Sequence, residues 1–182
     1  MAAIKKKKFF DVEMPILKKT TQLYAYNIEA LNNRIIKYDL TRILKGKGSL
    51  MNLKVEVKDE KATSIPIEIK FLPSFLKRIV RKSTNYIEDS FVAECKNGKL
   101  RIKPLLVTRR RVNRNVKKAL REKTKEELTN YVKNKKYEEI FKDILKNKIQ
   151  KEISLRIKKI YPLSAFEIRI LKVISSDNSE KN

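Results

Sequence analysis

The residues with the clearest potential for binding chemistry lie between Thr108 and Lys125, where cations recur at alternating intervals of three and four residues. That interval predicts a helix with positive charge along one face. Such a face suits contact with phosphate groups, because arginine can donate two parallel hydrogen bonds to one phosphate. The expected row consists of Arg111, Arg114, Lys118, Arg121 and Lys125.

A second face of the same predicted helix, over residues 111–132, carries apolar residues at the spacing of a buried seam. We therefore expect one face to pack on the protein and the other to face outward. The mixed charges of residues 122–131 predict a solvated second half. A solvated basic face without a binding role is the alternative interpretation. The expected seam consists of Val112, Val116, Ala119 and Leu120.

The charge of the whole chain favours a binding role. The 182 residues include 45 Lys and Arg against 21 Asp and Glu, a formal net charge of +24. Self-repulsion of this size opposes the compact state unless a polyanion neutralises it. Nucleic acid is the first candidate and an anionic membrane surface the second. A polybasic peripheral membrane protein remains an alternative, but the apolar helix stripes are needed for the core, so we expect no membrane partner.

The composition gives little support to catalysis. The chain has no histidine, which removes Ser-His-Asp and Cys-His catalysis and histidine-based metal sites. Its acidic residues are isolated on predicted strands or interleaved with lysine, whereas metal-assisted cleavage of a phosphodiester needs a carboxylate cluster. The single cysteine, Cys95, is expected to be a buried structural thiol in a reducing compartment. We expect no enzymatic activity, cofactor, metal or small-molecule substrate; an RNA-processing enzyme is the less favoured alternative.

Periodicity predicts the elements that must position the basic stretch. Alternating apolar residues predict about eight strands, with an Asn97-Gly98 hairpin turn. Pro66 indicates that its strand lies at an edge or carries a bulge. A short amphipathic helix is expected near Phe75, and a helical region at residues 136–160, with a break at Asn147. The predicted strands cover residues 9–14, 20–28, 34–40, 50–57, 63–71, 86–95, 99–107 and 166–174.

This order of elements predicts an α+β fold. We expect a curved, mainly antiparallel sheet or a barrel, with a short inserted helix and a C-terminal helical block before the last strand. Residues 1–8 are expected to form a flexible basic arm, residues 9–174 a single RNA-binding domain, and residues 175–182 a disordered tail.

The sequence favours RNA recognised by its shape and backbone. It has no zinc-finger spacing, helix-turn-helix pattern or GXXG loop. We expect the arginine-rich residues 109–114 to contact RNA more than the mixed-charge second half of the helix. The predicted RNA-binding residues are Lys5, Lys6, Lys7, Lys8, Arg109, Arg110, Arg111, Arg114, Lys117, Lys118, Arg121 and Lys125.

Several segments, in order, resemble those of an archaeal and eukaryotic family of small-subunit ribosomal proteins, the eukaryotic-type S-one or S-three-Ae family. KKKKFFDVEMP resembles the basic arm and first strand of that family, and NRIIKYDLTRIL a following segment. FLPSFLKRIVRKSTNYIEDSFVAECKNGKLRIKPLLVT resembles its helix and paired strands. TRRRVNRNVKKALREK matches its basic run, and IKKIYPLSAFEIRILKV its closing strand. The resemblance covers roughly residues 5–174, and the lack of a long C-terminal extension favours a short archaeal-like or genome-reduced version.

The resemblance implies a structural constituent of the small ribosomal subunit. Relatives lie on the platform of that subunit, near the messenger exit and the 3′ end of the ribosomal RNA. The implied partners are small-subunit rRNA and neighbouring platform proteins, and messenger RNA near the exit is also compatible. The implied location is cytoplasmic, in the small subunit, and no cofactor or reaction is implied.

Overall fold

The computed structural model describes residues 6–58 and 61–176. Contacts between Cα atoms group the chain into two compact units. The first unit consists of Met1–Tyr38 and Met51–Ile67, and the second of Asp39–Leu50 and Glu68–Asn182.

The described residues form strands and helices in the order that the periodicity predicted. The strands are β1 (Lys8–Met14), β2 (Lys19–Ala25), β3 (Ile35–Asp39), β4 (Ser49–Lys58), β5 (Lys61–Phe71), β6 (Tyr86–Glu88), β7 (Phe91–Cys95), β8 (Gly98–Thr108) and β9 (Leu163–Ser176). The α-helices are α1 (Pro73–Ile79), α2 (Arg114–Lys133), α3 (Tyr137–Leu145) and α4 (Lys148–Ile157), and a 3-10 turn covers Glu29–Leu31.

The first unit is built on the antiparallel hairpin of β1 and β2. Its register runs from Lys8 opposite Ala25 to Met14 opposite Lys19, and β1 also pairs in parallel with the start of β5. One face of the hairpin is buried, because alternate residues of a strand point to the same side. The core cluster beneath this face consists of Val12, Ala25, Leu31, Val55 and Ala62.

The second unit is built around β8. This strand pairs with β9 on one side and with β6 and β7 on the other, and the end of β5 pairs with β9. Helices α2, α3 and α4 contribute buried apolar residues to the core of this unit, as their 3.6-residue spacing predicted. These residues include Leu120, Leu128, Val132, Ile140, Phe141, Ile144, Ile149, Ile153 and Ile157.

The α+β prediction is confirmed, including the short inserted helix and the helical block before the last strand. The sheet has mixed pairing and is open, so the sheet and not the barrel is the correct form. The expected strand at residues 86–95 is two strands, because Asp89 and Ser90 interrupt it: the Ser90 N–H donates to Asp89 Oδ1 at 2.8 Å. The helical block does break at Asn147, which has a left-handed backbone conformation (φ 55°).

The expectation that the strand of Pro66 lies at an edge is wrong, and the bulge expected as its alternative stays a prediction. Strand β5 pairs with β1, β4 and β9. Its register places Ala62 opposite β1 and residues 68–70 opposite β9, so Pro66 lies in the interval between these two pairings. Proline lacks the N–H that a ladder requires, and this interval is where its absence can be accommodated.

Candidate nucleic-acid interface

The arginine-rich segment is a loop between β8 and α2. Strand β8 ends at Thr108 and α2 begins at Arg114, so Arg109, Arg110 and Arg111 precede the helix, and all three are exposed. The expectation that the helix begins at Arg111 is therefore wrong. Asn113 has extended backbone angles (φ −68°, ψ 161°) and serves as the N-terminal cap position.

Asn85 and Thr108 hold the start of this loop in place. The two residues exchange backbone and side-chain hydrogen bonds, among them Thr108 N–H to the Asn85 carbonyl at 2.9 Å. The Thr108 hydroxyl lies 2.7 Å from the Arg110 carbonyl oxygen, and Asn85 Oδ1 accepts from the Val112 N–H at 2.8 Å. Thr108 is fully buried. Loop backbone on both sides of Arg111 is thus fixed, while the arginine side chains point outward into solvent.

The first half of α2 continues this positive surface. Arg114, Lys118 and Arg121 are exposed, as is Lys125 just beyond this half, as the helical spacing predicted, whereas Lys117 is half-buried. Because Arg111 precedes the helix, the predicted row of five cations becomes four on the helix and one in the loop. No side chain caps α2, and no acidic residue lies in its first turn, so positive partial charge at its N-terminus adds to the cations.

The buried seam of α2 differs from the prediction. Val112 and Val116 are half-buried and Ala119 is exposed, so of the four predicted residues only Leu120 is buried. The helix starts later than predicted, and its first turns extend beyond the core. Thr124 can be buried because its hydroxyl donates to the Leu120 carbonyl at 2.6 Å. The buried residues are Leu120, Thr124, Leu128 and Val132.

The second half of α2 is therefore anchored to the protein, and the prediction of a solvated segment is wrong. Glu127 Oε2 accepts from Arg156 of α4 at 2.6 Å, and its side chain is only 12% exposed. The hydrogen bond from Arg156 lowers the pKa of Glu127 despite the opposing effect of burial, and Lys123 adds to this.

A second anchor joins α2 to α3. Tyr131 donates to Asp143 Oδ2 at 2.7 Å, and Lys135 Nζ donates to the same oxygen at 2.6 Å. Burial raises the pKa of Tyr131 to about 12. Burial alone would also raise the pKa of Asp143, but the hydrogen bonds from Lys135 and Tyr131 outweigh it and lower that pKa below its ordinary value. These contacts leave the first half of α2 as its exposed cationic part.

The predicted basic arm belongs to the first unit. Lys6, Lys7 and Lys8 are exposed, and Lys8 is the first residue of β1. Lys5 lies outside the described residues. The predicted site residues are therefore distributed over both units: these lysines in the first, and the cations of the loop and α2 in the second.

Sequence reasoning missed two features of these surfaces. Asn85 had no signal in the sequence, because its role depends on the pairing of β6 with β8. The aromatic residues Phe9, Tyr24 and Tyr26 are exposed on the first unit. Strand parity could have indicated this, since Phe9 lies on the opposite face from the buried Val12.

Within residues 6–58 and 61–176, no cluster of three or more Asp, Glu, Cys or His side chains could hold a metal ion. None of the helices described is long and apolar enough to cross a membrane. Cys95 is half-buried, so the expectation of full burial is wrong; its thiol lies 2.9 Å from the Gly98 carbonyl oxygen in the β7–β8 turn.

Together these features define a basic α+β protein with outward-facing cations suited to a polyanion. The chain belongs to the Ribosomal S3Ae family, whose model matches residues 2–177. The resemblance inferred from the sequence segments is thereby confirmed.

Curated relatives carry the description small ribosomal subunit protein eS1. The chain is 28% identical to that of Nanoarchaeum equitans over 174 residues, 91% of this chain and 87% of the relative. It is 34% identical to that of Methanothermobacter thermautotrophicus over 95 residues, 52% of this chain and 49% of the relative. It is 29% identical to that of Methanobrevibacter smithii over 102 residues, 56% and 53% of the two chains. The last two matches thus span about half of the relatives' length.

Proposed function

We propose that this protein is a structural constituent of the small ribosomal subunit that binds small-subunit rRNA through the arginine loop (residues 109–113) and the first half of α2. The proposal also covers a position on the platform, contacts with neighbouring platform proteins and with messenger RNA near the exit, and a cytoplasmic location. The family and the printed names of its relatives support the assignment to the small subunit.

The observation that carries the RNA-binding part is the arrangement of Arg109, Arg110 and Arg111. All three are exposed on backbone that hydrogen bonds from Asn85 and Thr108 hold in place. None of them forms an ion pair with a carboxylate of residues 6–58 or 61–176. Because the backbone that carries these guanidinium groups is already ordered, binding to phosphate costs the ordering of the side chains but little ordering of the loop.

The first part of α2 extends the same surface with further exposed cations. Among the carboxylates of residues 6–58 and 61–176, one lies within ion-pair distance of Lys118 alone in this set: Glu122 Oε1 at 3.9 Å, and both groups are well exposed. Such a pair contributes little to stability and can exchange for a phosphate contact. In this arrangement the backbone of the nucleic acid provides the binding energy, which accords with recognition of RNA by shape.

The test is purification of ribosomal subunits from cells that carry a tagged chain, at low and at high salt. We expect the tag in the small-subunit fraction at low salt, with arginine-loop crosslinks to rRNA. Absence of the tag from that fraction at both salt concentrations would refute the assignment. A tag that sediments with the subunit but crosslinks only through other surfaces would refute the role of the arginine loop.

A further inference from the structure

An exposed aromatic cluster lies on the outer face of the β1–β2 hairpin and at Tyr26, the residue that follows β2. Phe9 is 68% exposed, Tyr24 51% and Tyr26 52%. Phe9 and Tyr24 are direct cross-strand partners, and their ring centroids are 4.9 Å apart with the planes inclined by 40°. The cluster therefore presents large aromatic faces to solvent in one place.

These rings are not required by the core of the first unit. The core cluster uses the opposite strand parity, with Val12 and Ala25 buried. Grouped exposed apolar surface is uncommon on soluble proteins and marks contact sites more often than isolated exposed residues do. The packing of the unit thus leaves the three rings available for an external contact.

Cations surround the rings. Lys7 Nζ lies 5.7 Å from the ring centroid of Tyr24 and 5.1 Å from that of Tyr26. Arg34 Nη1 donates to the Tyr24 carbonyl at 3.0 Å, which places a guanidinium group beside the same strand. Aromatic faces next to positive groups match a nucleotide, whose base can stack on a ring while its phosphate meets a cation.

Two carboxylates limit the extent of the surface. Asp11 and Glu13 are exposed on the same face of β1 as Phe9, farther along the strand. Their charge would repel a polyanion. A bound strand would therefore occupy the end of the hairpin nearest Lys7, with about one base for each accessible ring.

We propose that Phe9, Tyr24 and Tyr26 form a stacking platform for unpaired RNA nucleotides. The inference rests on the proposed function and deepens it, since it names the form of RNA that this surface takes. On binding, Lys7 leaves the ring faces of Tyr24 and Tyr26 and pairs with a phosphate, while bases replace it on the rings. A base-paired helix cannot use the platform, because its bases are stacked on one another and their faces are covered.

The test measures binding of the full chain to a short poly-uridine RNA and to a blunt RNA duplex, at two salt concentrations. The chain has no tryptophan and seven tyrosines, so the part of the tyrosine quenching that F9A/Y24A removes reports stacking on the cluster. We expect the double substitution F9A/Y24A to weaken poly-uridine binding about tenfold or more and to leave duplex binding unchanged. The loss should be similar at both salt concentrations, since stacking does not release counterions.

Matched variants separate stacking from folding. Tyr24→Phe keeps an aromatic face and should bind as the wild type does. Phe9→Leu keeps apolar volume without an aromatic face and should weaken binding, which covers the case in which F9A/Y24A fails to fold. Tyr86, which is 60% exposed on β6 of the second unit, provides the control Tyr86→Ala, and we expect it to have no effect.

Two results would overturn the platform: unchanged poly-uridine affinity in folded Phe9→Leu, or an equal loss for duplex and single strand. The arginine-loop variant R109E/R110E/R111E, tested in parallel, reports on the proposed function separately. Loss of duplex binding in that variant with no effect of Phe9→Leu would refute only the platform. The reverse pattern would refute the role of the arginine loop and support the platform.

Discussion

Lys47 Nζ lies 2.6 Å from Glu167 Oε1, so one ammonium group connects the loop before β4 to a buried position on β9. Asn147 Oδ1 accepts from the same ammonium at 2.9 Å. Burial raises the pKa of Glu167, and the hydrogen bond and charge of Lys47 act in the opposite direction. These contacts show that Lys47 neutralises a buried carboxylate.

We expect Lys47→Met to destabilise the folded state by about 2 kcal/mol near neutral pH, because Glu167 is left buried without its counter-ion. The loss should shrink as the pH is lowered, because burial raises the pKa of Glu167. A buried acid with a raised pKa destabilises the folded state only while it is ionised, so protonation removes the cost. Urea unfolding of both chains at a series of pH values measures this difference. Glu167→Gln in the Lys47→Met background should restore most of the loss; an equal loss at every pH would contradict the account.

Charge reversal of the arginine loop should weaken RNA binding and make it less salt-dependent. For Arg109→Glu and Arg111→Glu together, we expect the slope of log K against log salt to fall by about 1 for each phosphate contact removed. Binding to small-subunit rRNA at several salt concentrations measures the slope. Glu126→Lys, at an exposed site of α2, is the control and should not weaken binding.

Glu127 is unsuitable as such a control. Glu127 accepts a hydrogen bond from Arg156, and its Oε1 lies 3.3 Å from Lys123 Nζ. Glu127→Lys should therefore weaken the contact of α2 with α4. We expect a loss of about 1 kcal/mol in the free energy of unfolding, with RNA affinity lowered only as far as folding is impaired. Thermal unfolding beside RNA binding distinguishes the two effects. A stable Glu127→Lys chain with intact binding would show that the ion pair contributes little.

Asn85→Ala tests whether the shape of the arginine loop matters as well as its charge. The substitution removes the acceptor of the Val112 N–H but leaves every cation in place. We expect RNA affinity to fall several-fold with the salt slope unchanged, because ordering the loop on binding costs free energy. Asn85→Asp keeps the acceptor oxygen and should retain more affinity. A changed salt slope in Asn85→Ala would indicate lost phosphate contacts and contradict a role in positioning.

Asp143→Asn should destabilise the protein by about 1–2 kcal/mol near pH 7, because the charged acceptor of Lys135 is lost. The folded pKa of Asp143 is lowered, so its contribution is present above the ordinary value near 4 and disappears as the pH falls through the lowered pKa. The difference between variant and wild type should therefore vanish in acid. The free energy of unfolding of both chains, measured at pH 7 and below pH 3, tests whether the difference disappears in acid.

The sequence predicted the elements better than their ends and faces. The spacing of hydrophobic residues along the chain identified β8, α2 and β9, because each of these elements buries one face. The start of α2 was misplaced because Arg111 is compatible with helix by spacing, and only the tertiary bonds of Asn85 fix an extended loop there. The position of the strand of Pro66 was predicted wrongly, because a proline indicates a missing backbone N–H donor but not where a neighbouring strand ends. The exposure of the cations was predicted correctly where no contact with another part of the protein buries the side chain.

The pairing of β8 has a consequence for synthesis of the chain. On one side β8 pairs with β6 and β7, which precede it in the sequence. On its other side it pairs with β9, which follows the three helices. A nascent chain that has emerged only as far as α4 therefore presents an open hydrogen-bonding edge directly next to the arginine loop. Such an edge invites pairing with other chains. Chains that terminate before Leu163 should consequently associate with one another. The last strand, β9, completes the sheet and also covers the edge through which two copies would otherwise pair.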